Sequence, residues 1–520
     1  MIYSGGELGA EVPDVDLASF VLRRAGELGE KPALIDGPSG RALSYAGLER
    51  LVRSFAAGLA ARGFVKGDTF AIYMPNAPEY AVAFHGVVAA GGRCTTVNPL
   101  YTARELGHQL ADCGASMLLT APAFLEQARK AAKEAGGCEV FVLGEAGGVS
   151  TFSELLGDPE AAPKLTIDPA VDIAAIPYSS GTTGLNKGVM LSHRNLVANM
   201  VQTEGVLAVS QDDIVIAVLP FFHVYGMCIV MNLGLLAGAT LVTMPRFDLE
   251  QFLDLLERHR VTRAYVVPPI ALALAKDPAV ERRDLSALKH ILCGAAPLGG
   301  DLAEEVAERI GCSVSQGCGM TEMSPVTHMV PPSSAAKKPG SIGPPIPGTE
   351  CRLIDSDTGR DSEPGGSGEL WMRGPQVMQG YLGNRKATAA MIDDDGWLHS
   401  GDVAIVDEDG WFAIVDRVKE LIKYKGFQVA PAELEAILIT HPQVADCAVI
   451  GVPDEETGEL PKAFVVPVGD DLDTGMLTAF IAQQVAPHKR IRAIELVDEI
   501  PKSPSGKILR RLLRDREPVR

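Results

Sequence analysis

Residues 178–188 combine hydroxyl side chains, glycines and one lysine, which are the groups that bind phosphate. The segment reads Tyr-Ser-Ser-Gly-Thr-Thr-Gly-Leu-Asn-Lys-Gly and follows a strand-like run at 173–177. Glycines let the backbone turn tightly and present N–H groups to an anion, while hydroxyls and an ammonium group add donors. The loop is not a Walker A loop, because Asn186 and Gly188 flank the lysine where that loop has a glycine and a hydroxyl residue. The sequence predicts a phosphate-binding loop that leaves any metal ion to be held elsewhere; the alternative is a flexible polar loop.

Further along the chain, five residues offer groups that suit a nucleotide. Glu322 is a hard carboxylate ligand of the kind that Mg²⁺ binds near phosphates, and Thr321 beside it is a hydroxyl donor. Asp402 is an acceptor suited to two neighbouring sugar hydroxyls, and Arg417 and Lys507 are cations. Each also has an ordinary interpretation, because a Thr-Glu pair is typical of a helix start and single charges usually lie solvated at the surface.

The composition favours a globular enzyme and argues against a nucleic-acid-binding protein. The chain has 520 residues, of which 47% are hydrophobic and 22% charged, so it can bury a large core. We expect about three structural units, or one large α/β domain with a smaller partner. Lys and Arg number 47 against 66 Asp and Glu, and the formal net charge of −19 opposes binding to a nucleic-acid backbone. A small anion such as a nucleotide can still bind in a locally basic pocket.

Cysteine usage and the absence of targeting patterns predict a cytoplasmic protein. The nine cysteines are scattered and include no C-x-x-C pair, which argues against a disulfide framework or a zinc site. The first residues lack the pattern of a signal peptide, and the last lack a peroxisomal or lipidation signal. The uncharged segment 224–244 contains glycines and is bracketed by Pro220 and Pro245, so we interpret it as a buried helix plus strand rather than a membrane span. We expect no membrane association and a monomer or homodimer.

The elements that must position these groups alternate between helix and strand patterns. Apolar residues at 48, 51, 52, 55 and 59 share one face of a helix predicted over 44–62, which Gly63 ends. Ser192 is placed to cap another helix, and we give the adjacent His193 a structural role. Other predicted elements are strands at 70–74, 263–267, 290–293 and 313–316 and helices at 249–259 and 301–310. Such alternation implies parallel sheets layered with helices, an α/β fold.

The pattern changes after about Tyr381, where short strand-like segments and turns predict a β-rich subdomain. A strand predicted at 411–415 is followed by a charged stretch at 416–420, and beyond that stretch lie predicted helices at 431–439 and 476–485 and predicted strands at 444–452 and 463–468. We predict a large N-terminal domain at 1–416, a hinge at 417–419 and a small, mobile α+β C-terminal domain at 420–520.

Several motifs in a fixed order make the chain resemble the adenylate-forming superfamily, which includes acyl-CoA synthetases, peptide-synthetase adenylation domains and beetle luciferases. After the loop at 178–188 these motifs are PFFH at 220–223, QGCGMTE at 316–322, SGD at 400–402, DR at 416–417, KYKGFQ at 423–428 and PKSPSGK at 501–507. The resemblance implies a two-step reaction. A carboxylate attacks the α-phosphate of ATP and releases pyrophosphate, and a thiol then attacks the acyl-adenylate.

The resemblance assigns roles in the first step to specific residues. It implies that Thr321 donates to the α-phosphate, that Glu322 binds Mg²⁺ and that His223 lines the carboxylate pocket. Lys507 is expected to bridge the carboxylate and α-phosphate oxygens, because a cation offsets the approach of two anions and the charge that builds on phosphorus. The catalytic residues implied are Lys507, His223, Thr321 and Glu322. The ATP-binding residues implied are Ser179, Ser180, Gly181, Thr182, Thr183, Lys187, Gln316, Gly317, Thr321, Asp402, Arg417 and Lys507.

The resemblance also implies that the small domain rotates after adenylation and presents a different face for the reaction with coenzyme A (CoA). The residues assigned to this step are Lys419 at the hinge, Lys423 and Gln428 on the second face, and Arg246, Lys425 and Gly426 beside CoA.

Among these families the chain most resembles the 4-coumarate:CoA ligases, through DRVKELIKYKGFQVAPA at 416–432 and CGAAPLG at 293–299. This implies an apolar acyl pocket wide enough for a flat ring, lined by Tyr225, Ile229, Ala295, Gly319, Pro325, Val326 and Met329. The chain departs from the family pattern in two places. Plant members tend to have Asn-Ser where this chain has Cys228 and Ile229, so one partner for a ring hydroxyl is missing, and Cys318 stands where many members have an aromatic that stacks on adenine. We predict acids of the cinnamate or 4-coumarate type.

Other functions fit less well. A non-catalytic acyl-binding relative would be expected to lack Lys507 or Glu322, and both are present. A peptide-synthetase adenylation domain would need an acidic residue near His223 to pair with an amino group, and 220–227 contains none. A ligase for medium-chain or other fatty acids and a luciferase-like oxygenase remain open, because both share the first step.

Overall fold

Two largely parallel sheets form the centre of the large domain. The computed structural model describes residues 1–146, 148–179, 186–355, 358–417, 419–424, 427–454, 457–469, 472–503 and 506–516. Within these ranges the first sheet has the strand order Tyr178–Ser179, Lys187–Ser192, Ile173–Ala175, Arg93–Thr96, Thr69–Tyr73, Ala115–Thr120, Glu139–Val142 and Ser150–Thr151, and Gly380–Tyr381 pairs with Lys187–Ser192. The second has the order Val326–Met329, Ser313–Gly319, His290–Cys293, Arg263–Val266, Ile214–Ala217, Thr240–Thr243, Pro32–Asp36 and Ala42–Ser44. Their inner strands are parallel, so the carboxyl ends lie at one edge of each sheet, where ligands bind in such folds.

Helices cover both sheets and bury the apolar faces that the sequence pattern predicts. In the helix Tyr45–Ala61, the Ser44 Oγ accepts the Gly47 N–H at 3.1 Å, and Leu48 and Phe55 are among its buried residues. Ser192 caps His193–Leu207, and His193 Nδ1 accepts the Leu17 N–H at 3.0 Å, in the structural role predicted for it. The other helices of this domain are Leu17–Val21, Ala25–Leu28, Pro78–Ala89, Ala103–Cys113, Leu125–Glu134, Leu233–Ala237, Leu249–Arg258, Pro268–Lys276, Gly300–Ile310 and Arg385–Met391.

The uncharged segment 224–244 is a buried helix followed by a strand, as its glycines and flanking prolines indicate. It begins with a π-helix at Tyr225–Asn232, continues as the α-helix Leu233–Ala237 and ends in the strand Thr240–Thr243. Among the described residues, no helix has the length and apolar character needed to cross a bilayer. A π-helix is rare and often occurs at functional sites, and no local sequence pattern indicates it here.

An antiparallel sheet completes the large domain as a β-rich subdomain, which begins earlier in the sequence than the predicted start near Tyr381. Its strand order is Tyr3–Ser4, Glu350–Ile354, Gly368–Arg373, Leu398–Val406 and Phe412–Arg417. The last two strands carry Asp402 and Arg417 as directly opposed residues. The sheet has an apolar core of its own, which includes Leu370, Leu398 and Phe412.

The small domain follows the last strand of that sheet and has a separate core. Its sheet contains Phe427–Val429, Ile422–Tyr424, Gly458–Pro467, Val444–Asp454 and Ala493–Leu496, and its helices are Pro431–Leu438, Thr474–Ala482 and Arg510–Arg514. Ile422, Leu434 and Val465 are buried in its core. The Asp416 carboxylate accepts the Ala432 N–H at 3.0 Å and so joins the large domain to the start of Pro431–Leu438. The predicted α/β architecture with a large and a small domain is confirmed, while the boundary at 417–419 stays a prediction.

Candidate active site

One cavity of about 1050 Å³ lies between the large domain and the loop that carries Lys507. Its walls come from the ends of the strands Ser313–Gly319 and Leu398–Val406, from the π-helix Tyr225–Asn232 and from the small-domain residues Lys502, Ser503, Lys507 and Leu509. The cavity brings together sixteen of the residues predicted from sequence, namely Ser179, Lys187, His223, Tyr225, Ile229, Ala295, Gly317, Gly319, Thr321, Glu322, Pro325, Val326, Met329, Arg417, Lys419 and Lys507. They lie far apart in the sequence, and their assigned roles remain predictions.

The predicted phosphate-binding loop at 178–188 includes the strand Tyr178–Ser179 and the first residues of the strand Lys187–Ser192. These strands pair antiparallel, with Ser179 opposite Lys187, and both residues line the cavity. Four predicted ATP contacts, Ser180, Gly181, Thr182 and Thr183, lie outside the described residues.

Glu322 is buried at the cavity wall, where two hydroxyls donate to one of its oxygens. It follows the strand Ser313–Gly319 on a short 3₁₀ turn at Thr321–Met323, and 6% of its surface is exposed. The Ser179 hydroxyl donates to Oε1 at 2.9 Å and the Tyr381 hydroxyl at 2.7 Å. Oε2 makes no hydrogen bond with the described residues. A carboxylate held in this way fits Mg²⁺, which takes one or two protein carboxylates and fills its shell with phosphate and water oxygens. Such a site needs no cluster of three ligands, and the described residues contain none.

Gln316 uses its side chain to fix a neighbouring loop. Its Nε2 donates to the Leu298 carbonyl at 2.9 Å, and its Oε1 accepts the Leu298 N–H at 2.9 Å. The two bonds hold the chain that follows the strand His290–Cys293, whose next residues, Gly294 and Ala295, line the cavity. The predicted contact of Gln316 with ATP stays a prediction.

Asp402 and Arg417 form an ion pair at the edge of the cavity. The Arg417 Nε lies 3.2 Å from the Asp402 Oδ1, and the side chain of Asp402 is 18% exposed. Burial raises the pKa of Asp402, while the charges of Arg417 and Lys507 act to lower it. Arg417 and Lys507 therefore favour the charged form of the Asp402 carboxylate. Its oxygens are acceptors that suit the hydroxyls of a bound sugar.

Lys507 sits on a tight turn of the small domain and faces the cavity. The Ser503 N–H donates to the Lys507 carbonyl at 2.8 Å, and Gly506 takes a φ of +79°, a conformation that favours glycine. Burial, and then the charge of Arg417, lower the pKa of Lys507 to about 8. The ammonium group is thus held where bound anions would restore its ordinary pKa.

His223 is a neutral imidazole at the base of the cavity. Its Nδ1 accepts the Tyr225 N–H at 3.3 Å. Burial, and then the charge of Lys507, lower the pKa of His223 to about 4, so the ring carries no charge near pH 7. An uncharged imidazole can lie beside a carboxylate or a thioester without forming an ion pair with it.

The predicted acyl pocket is the apolar part of the cavity. Ile229 projects from the π-helix with 1% of its surface exposed, and all seven predicted acyl-binding residues line the wall. The Tyr225 hydroxyl donates to the Leu292 carbonyl at 3.0 Å, so its proton is already used and only its oxygen can accept from a substrate. At Gly319 a Cβ would lie 2.4 Å from the Pro325 carbonyl oxygen, so only glycine allows this close approach.

The residues predicted for the CoA step lie mostly away from the cavity. Lys419 lines the cavity, whereas Arg246 and Lys423 are exposed outside it. Lys425 and Gly426 lie outside the described residues, as does the side chain of Gln428. The face that holds Lys507 is the one turned to the cavity in this structure.

Sequence reasoning missed Tyr381 and His399, which both line the cavity. The Tyr381 ring lies under the Lys187 ammonium group at 4.8 Å and its hydroxyl binds Glu322. His399 stacks on Trp371 with ring centroids 3.6 Å apart. The pairing of Gly380–Tyr381 with the strand Lys187–Ser192 is a long-range contact, so no local pattern signals it. Cys318, whose position departs from the family pattern, also lines the cavity, and burial raises the pKa of its thiol to about 12.

The fold and the site together define an adenylate-forming enzyme, and the comparisons with known proteins agree. The model of the AMP-binding enzyme family matches residues 21–382, and that of the AMP-binding enzyme C-terminal domain matches 433–507. The chain therefore belongs to the AMP-binding enzyme family.

Similar proteins cover nearly the whole chain. 4-Coumarate–CoA ligase 5 of Oryza sativa subsp. japonica is 44% identical over 97% of this chain and 95% of its own. ATP-bound MatB from Rhodopseudomonas palustris has 30% identity and a TM-score of 0.85, covering 96% of this chain and 99% of that one. The anthranilate CoA ligase AuaEII in complex with anthranoyl-AMP has 26% identity and a TM-score of 0.87, covering 97% and 98%. The predictions of the adenylate-forming family and of an AMP-forming acyl-CoA ligase are confirmed.

Proposed function

We propose that this ATP-dependent acid:CoA ligase acts on flat aromatic acids of the cinnamate or 4-coumarate type. The observation that carries the proposal is the convergence of Lys507, Arg417 and an apolar pocket on one cavity, with Asp402 paired to Arg417 beside it. In this arrangement a nucleotide sugar, a carboxylate and an apolar acyl group fit side by side.

In the first step a carboxylate oxygen of the acid attacks the α-phosphorus of ATP. The bond from that phosphorus to the oxygen that bridges it to the β-phosphate breaks, and pyrophosphate leaves with the electron pair. Asp402 and Arg417 hold the ribose, and Ser179, Lys187 and the loop at 180–185 hold the phosphates. Lys507 lies between the two anions and offsets the charge on the pentavalent phosphorus, while Thr321 donates to an α-phosphate oxygen.

Glu322 is the residue that would hold Mg²⁺ in this site. Its Oε1 is occupied by the hydroxyls of Ser179 and Tyr381, which leaves Oε2 for the ion. When bound, the ion supplies charge neutralisation for the phosphate oxygens.

In the second step the sulfur of CoA attacks the acyl carbonyl carbon. The bond from that carbon to the phosphate oxygen breaks, AMP leaves with the electron pair, the proton of the thiol passes to solvent and the thioester remains. We assign this step to a second arrangement, in which the domain of residues 420–520 rotates about the hinge at 417–419. Lys423, Lys425, Gly426 and Gln428 then replace Lys507 at the cavity, and Arg246 contacts the CoA nucleotide. Because His223 is neutral, it leaves room for the thiol and does not form an ion pair with it.

The side chains that line the acyl pocket indicate which class of acid the enzyme uses. Ile229 and Val326 are apolar, and Gly319 allows its strand to pack closely against the Pro325 backbone at the wall of the pocket. Relatives named 4-coumarate–CoA ligase and a structural neighbour named anthranilate CoA ligase support an aromatic acid. A fatty acyl-CoA ligase is the second candidate, because the same apolar wall could accept a flexible chain. We further propose a cytoplasmic enzyme that works as a monomer or homodimer.

A panel of acids tests this assignment. Pyrophosphate release is measured with cinnamate, 4-coumarate, benzoate, octanoate and decanoate, each with and without CoA. We expect cinnamate and 4-coumarate to give the highest kcat/KM, and a CoA thioester only when CoA is present. Activity confined to octanoate and decanoate would move the enzyme to the fatty acyl class, and light emission with luciferin would indicate an oxygenase.

A further inference from the structure

Tyr381 contacts both charged groups that face the phosphate end of the cavity. Its hydroxyl donates to the Glu322 Oε1 at 2.7 Å, and its ring lies 4.8 Å from the Lys187 ammonium group. Tyr381 itself is 5% exposed, so the three groups are packed together rather than mobile at the surface.

The backbone around Tyr381 is bonded to the elements that carry those two groups. The Leu382 N–H donates to the Gly188 carbonyl at 2.8 Å, next to Lys187, and the Met378 N–H donates to the Glu322 carbonyl at 2.9 Å. The Tyr381 N–H donates to the Thr388 hydroxyl at 2.9 Å, which fixes the residue on its other side. The aromatic ring is therefore a rigid spacer between a cation and an anion.

Without such a spacer the two charges would attract each other. An ammonium group and a carboxylate in a partly buried site gain several times more from pairing than they would in water. Among the described residues no ion pair joins Lys187 and Glu322; instead the cation meets the ring face and the anion meets the hydroxyl. Both groups are thus kept free for the phosphates and the metal ion of a bound nucleotide.

We propose that Tyr381 is a positioning residue for adenylation, an inference that rests on the proposed function. Its hydroxyl fixes the Glu322 carboxylate so that Oε2 is presented to Mg²⁺, and its ring keeps Lys187 from pairing with that carboxylate. The Ser179 hydroxyl supports the same orientation, because it donates to the same oxygen at 2.9 Å.

The test uses Tyr381→Phe, which removes the hydroxyl and keeps the ring. ATP binding is measured by calorimetry over a series of free Mg²⁺ concentrations, and then in EDTA. We expect the Mg²⁺ concentration that half-saturates the gain in ATP affinity to rise about tenfold, which corresponds to about 1.4 kcal/mol. ATP affinity in EDTA and thioester formation from supplied acyl-adenylate should stay within about twofold of the wild type.

Two further variants distinguish the effect of the ring from that of the hydroxyl and test the orientation of Glu322 independently. Tyr381→Leu should also weaken ATP binding in EDTA, by about tenfold, because Lys187 becomes free to pair with Glu322. Ser179→Ala keeps Tyr381 intact and should raise the Mg²⁺ half-saturation about threefold, so the proposal can be tested even if the Tyr381 variants fail to fold.

The matched control is Tyr45→Phe, because the Tyr45 hydroxyl is equally buried and donates to the Ala239 carbonyl at 2.6 Å, away from the cavity. It should lower thermal stability without changing the Mg²⁺ dependence. A Mg²⁺ half-saturation within twofold of the wild type in both Tyr381→Phe and Ser179→Ala would overturn the proposal. If the variants show the expected Mg²⁺ shifts but the wild-type protein forms no acyl-adenylate, the proposed function is contradicted instead.

Discussion

Arg417 and Asp402 face each other across the last two strands of the large domain, with Nε and Oδ1 3.2 Å apart. Arg417 is the last residue of its strand and also the first residue of the predicted hinge at 417–419. Asp402, which is assigned to the ribose, is therefore paired with a residue of the hinge about which the small domain is proposed to rotate.

Asp402→Ala should weaken the recognition of the sugar. We expect KM for ATP to rise at least tenfold and the preference for ATP over 2′-deoxy-ATP and 3′-deoxy-ATP to fall, because a site built around hydroxyl groups rejects analogues that lack them. Steady-state pyrophosphate release with the three nucleotides measures both effects. An unchanged preference would remove Asp402 from the ribose site.

Lys507→Ala should abolish adenylation while leaving the fold intact. Removing a preorganised charge from the transition state typically costs a factor of about 10²–10³ in rate. The variant should still convert supplied acyl-adenylate and CoA to the thioester. Lys462→Ala is the control, because Lys462 pairs with Glu495 on the same domain at 2.7 Å. Adenylation within about threefold of the wild type, roughly 0.7 kcal/mol, would refute the assignment.

The pH dependence of adenylation should show an alkaline limit set by Lys507. Burial and Arg417 lower the pKa of this lysine to about 8. Only the protonated form supplies the cation, so kcat/KM should be constant below that value and fall about tenfold per pH unit above it. Lys507→Arg keeps its charge throughout this range, so whatever its absolute rate, its profile should lack the alkaline limit. A wild-type profile that is flat to pH 9.5 would contradict this role.

Ile229 should make the enzyme tolerant of acids with and without a ring hydroxyl. An apolar wall discriminates weakly, so we expect kcat/KM for cinnamate and 4-coumarate within about tenfold, or roughly 1.4 kcal/mol. Caffeate should be poorer, because a buried hydroxyl without a partner costs about 1–3 kcal/mol.

Ile229→Ser should shift the ratio towards 4-coumarate, and Ile229→Val controls for the loss of volume. The measurement is steady-state kinetics on the three acids with saturating ATP and CoA. A preference of a hundredfold or more for 4-coumarate in the wild type would show that this interpretation of Ile229 is wrong.

Gly426→Leu should block the second half-reaction more than the first. In the proposed CoA step Gly426 lies beside CoA, where glycine permits a close backbone approach and a leucine side chain would fill the space. Adenylation, measured as pyrophosphate release without CoA, serves as the internal control for folding. Equal losses in both half-reactions would argue against a rotation that brings this segment to the cavity.

The sequence predicted much of the fold because local patterns determine it. The helix Tyr45–Ala61 forms where apolar residues recur on one helical face, and the strand His290–Cys293 has the predicted bounds. It could not predict the π-helix Tyr225–Asn232, because one extra residue in a turn leaves no periodic signal. The role of Tyr381 was also hidden, since its contacts with Lys187 and Glu322 depend on strand pairing between distant segments. The motif identified Gln316, but only the structure shows that its side chain is hydrogen-bonded to the Leu298 backbone.

The most direct test of the account is a single-turnover experiment in two stages. The protein is mixed with 4-coumarate, ATP and Mg²⁺ without CoA, the products are separated, and CoA is then added to the protein-bound fraction. We predict one equivalent each of pyrophosphate and enzyme-bound 4-coumaroyl-AMP in the first stage, and their conversion to the CoA thioester and AMP in the second. Thioester formation with no acyl-adenylate at any time, or release of ADP and phosphate in place of pyrophosphate, would contradict it.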